Sequence, residues 1–190
     1  MNDLETIAPS CGVLLRLAQG TFAHLATAWT LSPGEWVTAW SPSEPPGADV
    51  VLMSVQDGRV APIADWECDN GLAGFTSLRL DTTLAVERDA ALSKRMRLVA
   101  IGFPCMIDHP SFNLHRGSLD AERYLPYLCP WIITGHAGEF SAADGFLTGR
   151  FFSGMAGGPV LDDEQRVVGI LLDGSTACDH PPLTRFRRLA

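Results

Sequence analysis

Short apolar runs separated by turn residues form the main pattern along this chain of 190 residues. About six runs lie in each half, and they are rich in Val, Leu, Ile, Trp and Thr: 13–17, 25–30, 36–40, 50–55, 60–64 and 76–80, then 97–101, 113–119, 131–134, 145–148, 159–161 and 167–172. Turn sequences such as Ser-Pro-Gly and Asp-Gly fall between them. Regularly spaced strands with such turns predict an all-β barrel or sandwich.

One segment near the middle departs from this pattern. Residues 84–94, LAVERDAALSK, are rich in helix-forming residues. We therefore predict a linker at 84–95, which the composition allows to be helical. It would join an N-terminal β-barrel, residues 1–83, to a C-terminal β-barrel, residues 96–190.

Composition and charge exclude several classes of protein. Apolar residues make up 46% and charged residues 19%, which permits a large core. The net charge of −8 argues against a nucleic-acid partner, and the basic residues near the end, 185, 187 and 188, are expected to be solvated. No run of eighteen apolar residues and no signal-peptide pattern at 1–10 are present, so we expect a cytoplasmic protein without a membrane partner.

The five cysteines give no reason to expect a metal or a disulfide framework. Their number is odd and there is no CxxC pair, so we expect them to be reduced and mostly buried. Cys178 and His180 lie two residues apart, but no second ligand pair with zinc spacing follows. We expect no metal and no cofactor.

Five segments resemble, in the correct order, trypsin-like serine peptidases of the chymotrypsin fold, especially the compact bacterial type. Segment 26–41 (ATAWTLSPGEWVTAWS) is similar to the family's G-[ST]-G-F-x-[VI]-S-P-x-G-x-V-L-T-x-A-H, with one residue fewer. Segment 154–162 (GMAGGPVLD) resembles G-x-S-G-G-P around the nucleophile, and 74–81, 99–104 and 167–170 resemble further strands. The resemblance implies two six-stranded Greek-key β-barrels with a site in the cleft between them.

The same resemblance implies a degenerate catalytic triad. Ala156 stands at the nucleophile position, Ser41 or Trp40 at the histidine position and Gly74 at the aspartate position, where Asp69 is the nearest acid. Peptide hydrolysis at such a site needs a hydroxyl, a general base and a carboxylate that orients the base. We therefore predict a catalytically inactive pseudoprotease, not an enzyme, that acts as a scaffold, adaptor or regulatory subunit of a hetero-complex.

Two alternatives stay open at this point. One is a serine endopeptidase captured as a nucleophile-to-alanine mutant. The other is a purely structural subunit whose cleft is filled by Trp40 or Arg150. A rebuilt site would need a base from among the histidines, although each of them is more typical of a structural or surface residue: His24, His109, His115, His136 and His180.

Some binding features of the family are nevertheless expected to remain. The resemblance implies an oxyanion-loop remnant built from backbone N–H groups of Gly154, Met155, Ala156 and Gly157. It also implies a protein or peptide partner that pairs as an added β-strand with Leu172, Asp173 and Gly174. Arg150, six residues before the nucleophile position, would form the base of the specificity pocket and favour an acidic side chain.

Overall fold

Two antiparallel β-sheets make up the described part of the protein. The structure is a computed structural model, and it describes residues 7–18, 21–69, 71–88, 90–105, 125–138, 141, 143–174 and 182–189. Within these residues the first sheet has seven strands: β1 (Cys11–Ala18), β2 (Thr21–Ser32), β3 (Glu35–Thr38), β4 (Val50–Ser54), β5 (Val60–Pro62), β6 (Ala64–Asp69) and β7 (Leu72–Thr76). Their spatial order is β5-β4-β1-β2-β3-β7-β6.

The second sheet contains six strands of the described chain: β8 (Arg97–Gly102), β9 (Trp131–His136), β10 (Asp144–Thr148), β11 (Pro159–Leu161), β12 (Val167–Gly174) and β13 (Leu183–Arg188). Their order is β10-β13-β12-β11-β8-β9. A bridge between Ala137 and Leu147 brings the two edge strands β9 and β10 together, which curls the sheet towards a barrel. The predicted all-β, two-barrel architecture is confirmed, although the first sheet has seven described strands where six were expected.

The apolar pattern explains why most strands form where they do. Strand β4, VVLMS, is buried at all five positions, whereas β9 alternates between exposed and buried residues in its second half. The two sheets meet over a shared core that joins Trp29 and Met53 of the first to Ile101, Phe103 and Leu161 of the second. This shared core fixes the two sheets against each other.

Two stretches differ from the predicted strands. Strand β7 ends at Thr76, before most of the run at 76–80, because the backbone beyond it takes other partners. The indole Nε1 of Trp36 donates to the carbonyl of Leu78 over 2.8 Å, and the N–H of Ser77 donates to the carbonyl of Gly34. The run at 113–119 lies outside the described residues.

Strand β13 differs from the prediction of a solvated basic terminus. Thr184 and Phe186 are fully buried, while Arg185 and Arg187 project from the other face of the strand. Both arginines form ion pairs with Asp144. The basic residues are therefore part of the second sheet.

The linker, which its composition allows to be helical, forms no helix in its described residues, 84–88 and 90–95. Val86 forms a parallel bridge with Val167, and the N–H of Val167 donates to the carbonyl of Ala85 over 2.7 Å. Pairing with β12 holds this segment extended, so tertiary contacts override its local helix propensity. The domain boundaries themselves stay a prediction.

The cysteines are less buried than predicted. Cys11 is fully buried, and burial raises the pKa of its thiol to about 12. Cys105 is partly buried, whereas Cys68 and Cys129 are exposed, and all four are free thiols. Cys178 lies outside the described residues. Among the described residues no helix has the length and apolar character needed to cross a membrane.

Candidate functional site: a turn at the junction of the two sheets

The segment that carries the nucleophile position forms a tight turn before β11. Gly154 and Gly157 adopt φ values of +90° and +89°, which L residues rarely adopt. A Cβ on Gly157 would lie 2.9 Å from the N atom of Ala39 and still closer to the carbonyl oxygen of Thr27 and Oγ1 of Thr38. Glycine is therefore required at 157 by both backbone angle and space.

Thr27 of β2 anchors this turn from the opposite sheet. Its N–H donates to the carbonyl of Ala156 and its hydroxyl donates to the carbonyl of Gly154, each over 2.9 Å. The same hydroxyl accepts a hydrogen bond from the N–H of Phe103 over 2.9 Å. A single fully buried side chain thus ties the turn to both sheets. Sequence reasoning missed Thr27, because its partners are more than seventy residues away in the chain.

The predicted histidine position lies next to this turn, and the predicted aspartate position lies in the strand beside β3. The turn contacts Thr38 and Ala39, which directly precede the histidine position, Trp40 or Ser41. Gly74 pairs with Val37 in the neighbouring strand. None of these positions carries a side chain that the triad chemistry requires, so their assignment as former triad positions stays a prediction.

The two candidates for the histidine position have different surroundings. The hydroxyl of Ser41 lies 3.1 Å from the thiol of Cys68 and is exposed. Trp40 packs edge-on against Trp66, with ring centroids 5.5 Å apart, and the guanidinium of Arg16 lies 5.9 Å from its ring centroid. Trp40 therefore packs with residues of the first sheet.

Gly74, at the aspartate position, lines an open cleft of about 1020 Å³ between the two sheets. The carboxylate residues Glu67 and Asp69 line its first-sheet side, and Arg88 and Arg187 lie on the other side. A Cβ on Gly74 would meet nothing within 4 Å. Asp69 belongs to the β6–β7 hairpin, where it pairs with Leu72. The acids nearest to Gly74 along the sheet therefore belong to this cleft.

His24 is the histidine that contacts the turn, among the residues that the structure describes. Its ring forms hydrogen bonds with the backbone of Ala26 and Gly154. Burial lowers its pKa to about 4, and the two backbone hydrogen bonds oppose this shift only in part, so the ring is neutral near pH 7. His136 is exposed at the end of β9, and His109, His115 and His180 lie outside the described residues.

The backbone of the turn leaves two N–H groups available. Within the described part of the chain, neither the N–H of Gly154 nor that of Ala156 donates a hydrogen bond, although Met155, Gly157 and Gly158 all donate theirs. Gly154 is buried and Ala156 is half-buried. Buried N–H groups without an acceptor are uncommon in proteins, and they are suited to receive an oxygen from a ligand or a water molecule.

Next to the turn, the end of β12 has one open edge in the described structure. β12 pairs with β11 only as far as Ile170, and the backbone of Leu171 then bonds to Gly157 and Gly158. Leu172, Asp173 and Gly174 continue the strand. Asp173 and Gly174 pair with Arg185 and Thr184 of β13 on the other edge, and the register shifts at Leu172. The side chain of Asp173 is held by Arg185, whose Nε lies 3.1 Å from Oδ1.

Arg150 lies in the segment between β10 and the turn. It is exposed, whereas the next residue, Phe151, is buried beside Gly174. The predicted role of Arg150 in selecting an acidic side chain stays a prediction. No group of three or more potential metal-ligating side chains occurs among the described residues.

Comparison with known proteins gives a likeness in fold. No protein-family model matches the sequence, and no curated protein matches it. Among solved structures, the inactive serine-to-alanine mutant of Rv3671c from M. tuberculosis H37Rv has a TM-score of 0.70 at 13% identity, covering 98% of this chain and 84% of that one. The active form of the Rv3671c protease has a TM-score of 0.69 at 13% identity, covering 98% and 79%. Glu endopeptidase has a TM-score of 0.63 at 13% identity, covering 96% and 86%.

These likenesses confirm the trypsin-like serine protease fold and correct one prediction. The chain was predicted not to be an enzyme because its triad side chains are missing. The structural neighbours are proteases, one of them solved in its active form and again as an inactive serine-to-alanine mutant. The prediction of a non-enzyme is overturned by this finding, since these neighbours are proteases and one of them is also known as a serine-to-alanine mutant in an inactive form.

Proposed function

We propose that this chain is a serine endopeptidase of the trypsin-like fold in a nucleophile-replaced form, and that the turn at Gly154–Gly157 and the neighbouring end of β12 bind an extended polypeptide. The observation that carries the proposal is the pair of N–H groups of Gly154 and Ala156, which donate no hydrogen bond to any described residue. In acyl transfer, N–H groups beside the nucleophile bind the carbonyl oxygen as it becomes negatively charged. Both groups belong to the backbone, so the alanine side chain does not remove them.

The open edge of β12 supports the second part of the proposal. An extended peptide that pairs with Leu172–Gly174 runs beside the turn, because Leu171 is bonded directly to Gly157 and Gly158. Strand addition of this kind uses backbone hydrogen bonds and needs no catalytic side chain. The peptide is therefore placed with one of its carbonyl groups at the N–H groups of Gly154 and Ala156.

Hydrolysis would require a hydroxyl at position 156 and a base from outside the former histidine position. The hydroxyl of Ser41 does not act as a base near neutral pH. His24 is neutral near pH 7 and already contacts the backbone of Gly154. In this proposal His24 is the base that a serine at 156 would use.

Labelling with a fluorophosphonate probe tests the endopeptidase assignment. Ala156→Ser should react with the probe, because the probe reacts with an activated serine and hardly with an ordinary one. The unchanged chain, which lacks the hydroxyl at 156, serves as the control and should not react. Labelling should be lost in the double variant Ala156→Ser with His24→Gln. A folded Ala156→Ser variant that stays unlabelled would show that the endopeptidase assignment is wrong.

A further inference from the structure

The open cleft of about 1020 Å³ between the two sheets is separate from the turn and from the open edge of β12. In the described part of the chain, its lining includes none of Gly154–Gly157 or Leu172–Gly174. Its second-sheet side lies at the other end of β12, where Arg188 pairs with Gly169. Gly169 and Gly174 are five residues apart, roughly 17 Å along an extended strand. A ligand in the cleft therefore does not occupy the proposed peptide site.

Apolar side chains line the deeper part of this cleft. Trp29, Leu31 and Val37 belong to the first sheet, and Val86 and Leu189 belong to the linker and the chain after β13. Trp29 is fully buried and the other four are half-buried. Sites for small ligands have volumes of about 300–1,000 Å³, are mostly apolar and are common where two domains meet. The cleft therefore has the size and lining to bind a ligand with an apolar body.

Charged groups of opposite sign lie on the two sides of the cleft. The exposed carboxylates of Glu67 and Asp69 lie on the first-sheet side, and the guanidinium groups of Arg88, Arg187 and Arg188 lie on the other. Two of these guanidinium groups are held in place. Nε of Arg187 lies 3.0 Å from Oδ1 of Asp144, and Nη2 of Arg188 donates to the carbonyl of Ala90 over 2.7 Å. A guanidinium carries five N–H donors, so further donors are available to an anionic group.

The indole N–H of Trp29 is an independent indication of a ligand. Nε1 of Trp29 is buried and donates a hydrogen bond to no residue of the described chain. The indole of Trp36 in the next strand, by contrast, donates to the carbonyl of Leu78 over 2.8 Å. Buried indole N–H groups usually have an acceptor. An oxygen atom of a ligand in the cleft, or a water molecule held beneath the ligand, supplies this acceptor.

We propose that the cleft is a binding site for short zwitterionic peptides. The ammonium group of the peptide lies at Glu67 and Asp69, its carboxylate lies at the three arginines, and its apolar side chains lie over Trp29. A ligand with opposite charges at its two ends matches both sides of the cleft, whereas a purely anionic or cationic ligand meets like charge on one side. The inference does not depend on the proposed endopeptidase function, because no residue of the turn takes part.

Titration of trileucine, which is a zwitterion at pH 7, into ¹⁵N-labelled protein tests this site by NMR. Each of the five tryptophans gives one indole N–H signal, and triple-resonance experiments assign that of Trp29. Trileucine should shift the Trp29 signal. N-acetyl-trileucine lacks the ammonium group and trileucine amide lacks the carboxylate, so each should bind about tenfold more weakly or worse.

Two exposed residues allow the ends of the site to be tested separately. Arg88→Gln should weaken the binding of trileucine about tenfold and leave that of trileucine amide unchanged, because the amide has no carboxylate to lose. Asp69→Asn should weaken trileucine similarly and leave N-acetyl-trileucine unchanged. Arg150→Gln, which removes an exposed arginine outside the cleft lining, is the matched control and should change neither affinity.

Three results would overturn the inference. One is a Trp29 signal that trileucine leaves in place, and another is equal binding of trileucine and its two blocked forms. The third is a set of changes confined to the amides of Gly154 and Ala156. That result would place the peptide at the turn, and it would support the proposed function while contradicting a site in the cleft.

Discussion

Replacing Gly157 by alanine is expected to destabilise the protein by about 4 kcal/mol, the largest effect of any substitution proposed for this chain. The new methyl group would be driven into the carbonyl oxygen of Thr27 and the hydroxyl of Thr38, and the backbone would hold an L residue at a φ of +89°. The free energy of unfolding of such domains is only about 5–15 kcal/mol, so this substitution would remove a large part of it.

Gly34→Ala provides the matched control for this variant. Gly34 has a similar φ of +94°, but its nearest neighbour to a Cβ is the carbonyl oxygen of Ser77 at 3.8 Å. Only the cost of the left-handed backbone applies there, about 1 kcal/mol. Urea denaturation of both variants measures the difference. Equal losses of stability would mean that the turn is not packed against Thr27 and Thr38.

Acidification from pH 6.5 towards pH 4 is expected to cost up to about 3 kcal/mol of stability through His24 alone. The pKa of His24 is about 4 in the folded protein, compared with 6.5 for an unperturbed imidazole ring. Between these values the unfolded chain binds more protons than the folded one, so stability falls as the pH falls. The contribution is fully present above pH 6.5 and is lost as the pH falls towards 4.

The variant His24→Gln isolates this contribution, since it cannot titrate. Urea denaturation at intervals between pH 7 and roughly pH 5 avoids the range in which most carboxylates titrate. The unchanged chain should lose stability across this interval, and the variant should show a nearly flat profile. Parallel profiles for the two proteins would show that His24 is not held neutral beside Gly154.

The sequence predicts the strands whose pattern is decided locally. Strands β4 and β8 are continuous apolar runs between turn sequences. The turn at Gly157 can also be predicted, because its glycines are visible in the sequence. Strand β13 escapes prediction because Arg185 and Arg187 suggest a solvated tail until the pairing of these arginines with Asp144 is seen. The linker resembles a helix for a similar reason, since only its pairing with β12 reveals an extended segment.

The candidate site also has some features that the sequence predicts and others that it does not. The position of Ala156 between Gly154 and Gly157 follows from the sequence, because the turn needs those glycines. The contact between Phe151 and Gly174 cannot be predicted from the sequence, because it depends on how closely two segments approach each other in the folded chain. The same holds for His24, whose contact with Gly154 joins residues 130 positions apart.

Amide hydrogen exchange, followed by NMR on ¹⁵N-labelled protein, tests the central claim most directly. The protein would be measured with and without the tightest-binding peptide selected from a library of hexapeptides. The account predicts that the amides of Gly154 and Ala156 become protected when the peptide binds, together with amides in Leu172–Gly174, while that of Gly34 stays unchanged. Absence of any peptide binding, or protection confined to other parts of the protein, would contradict the account.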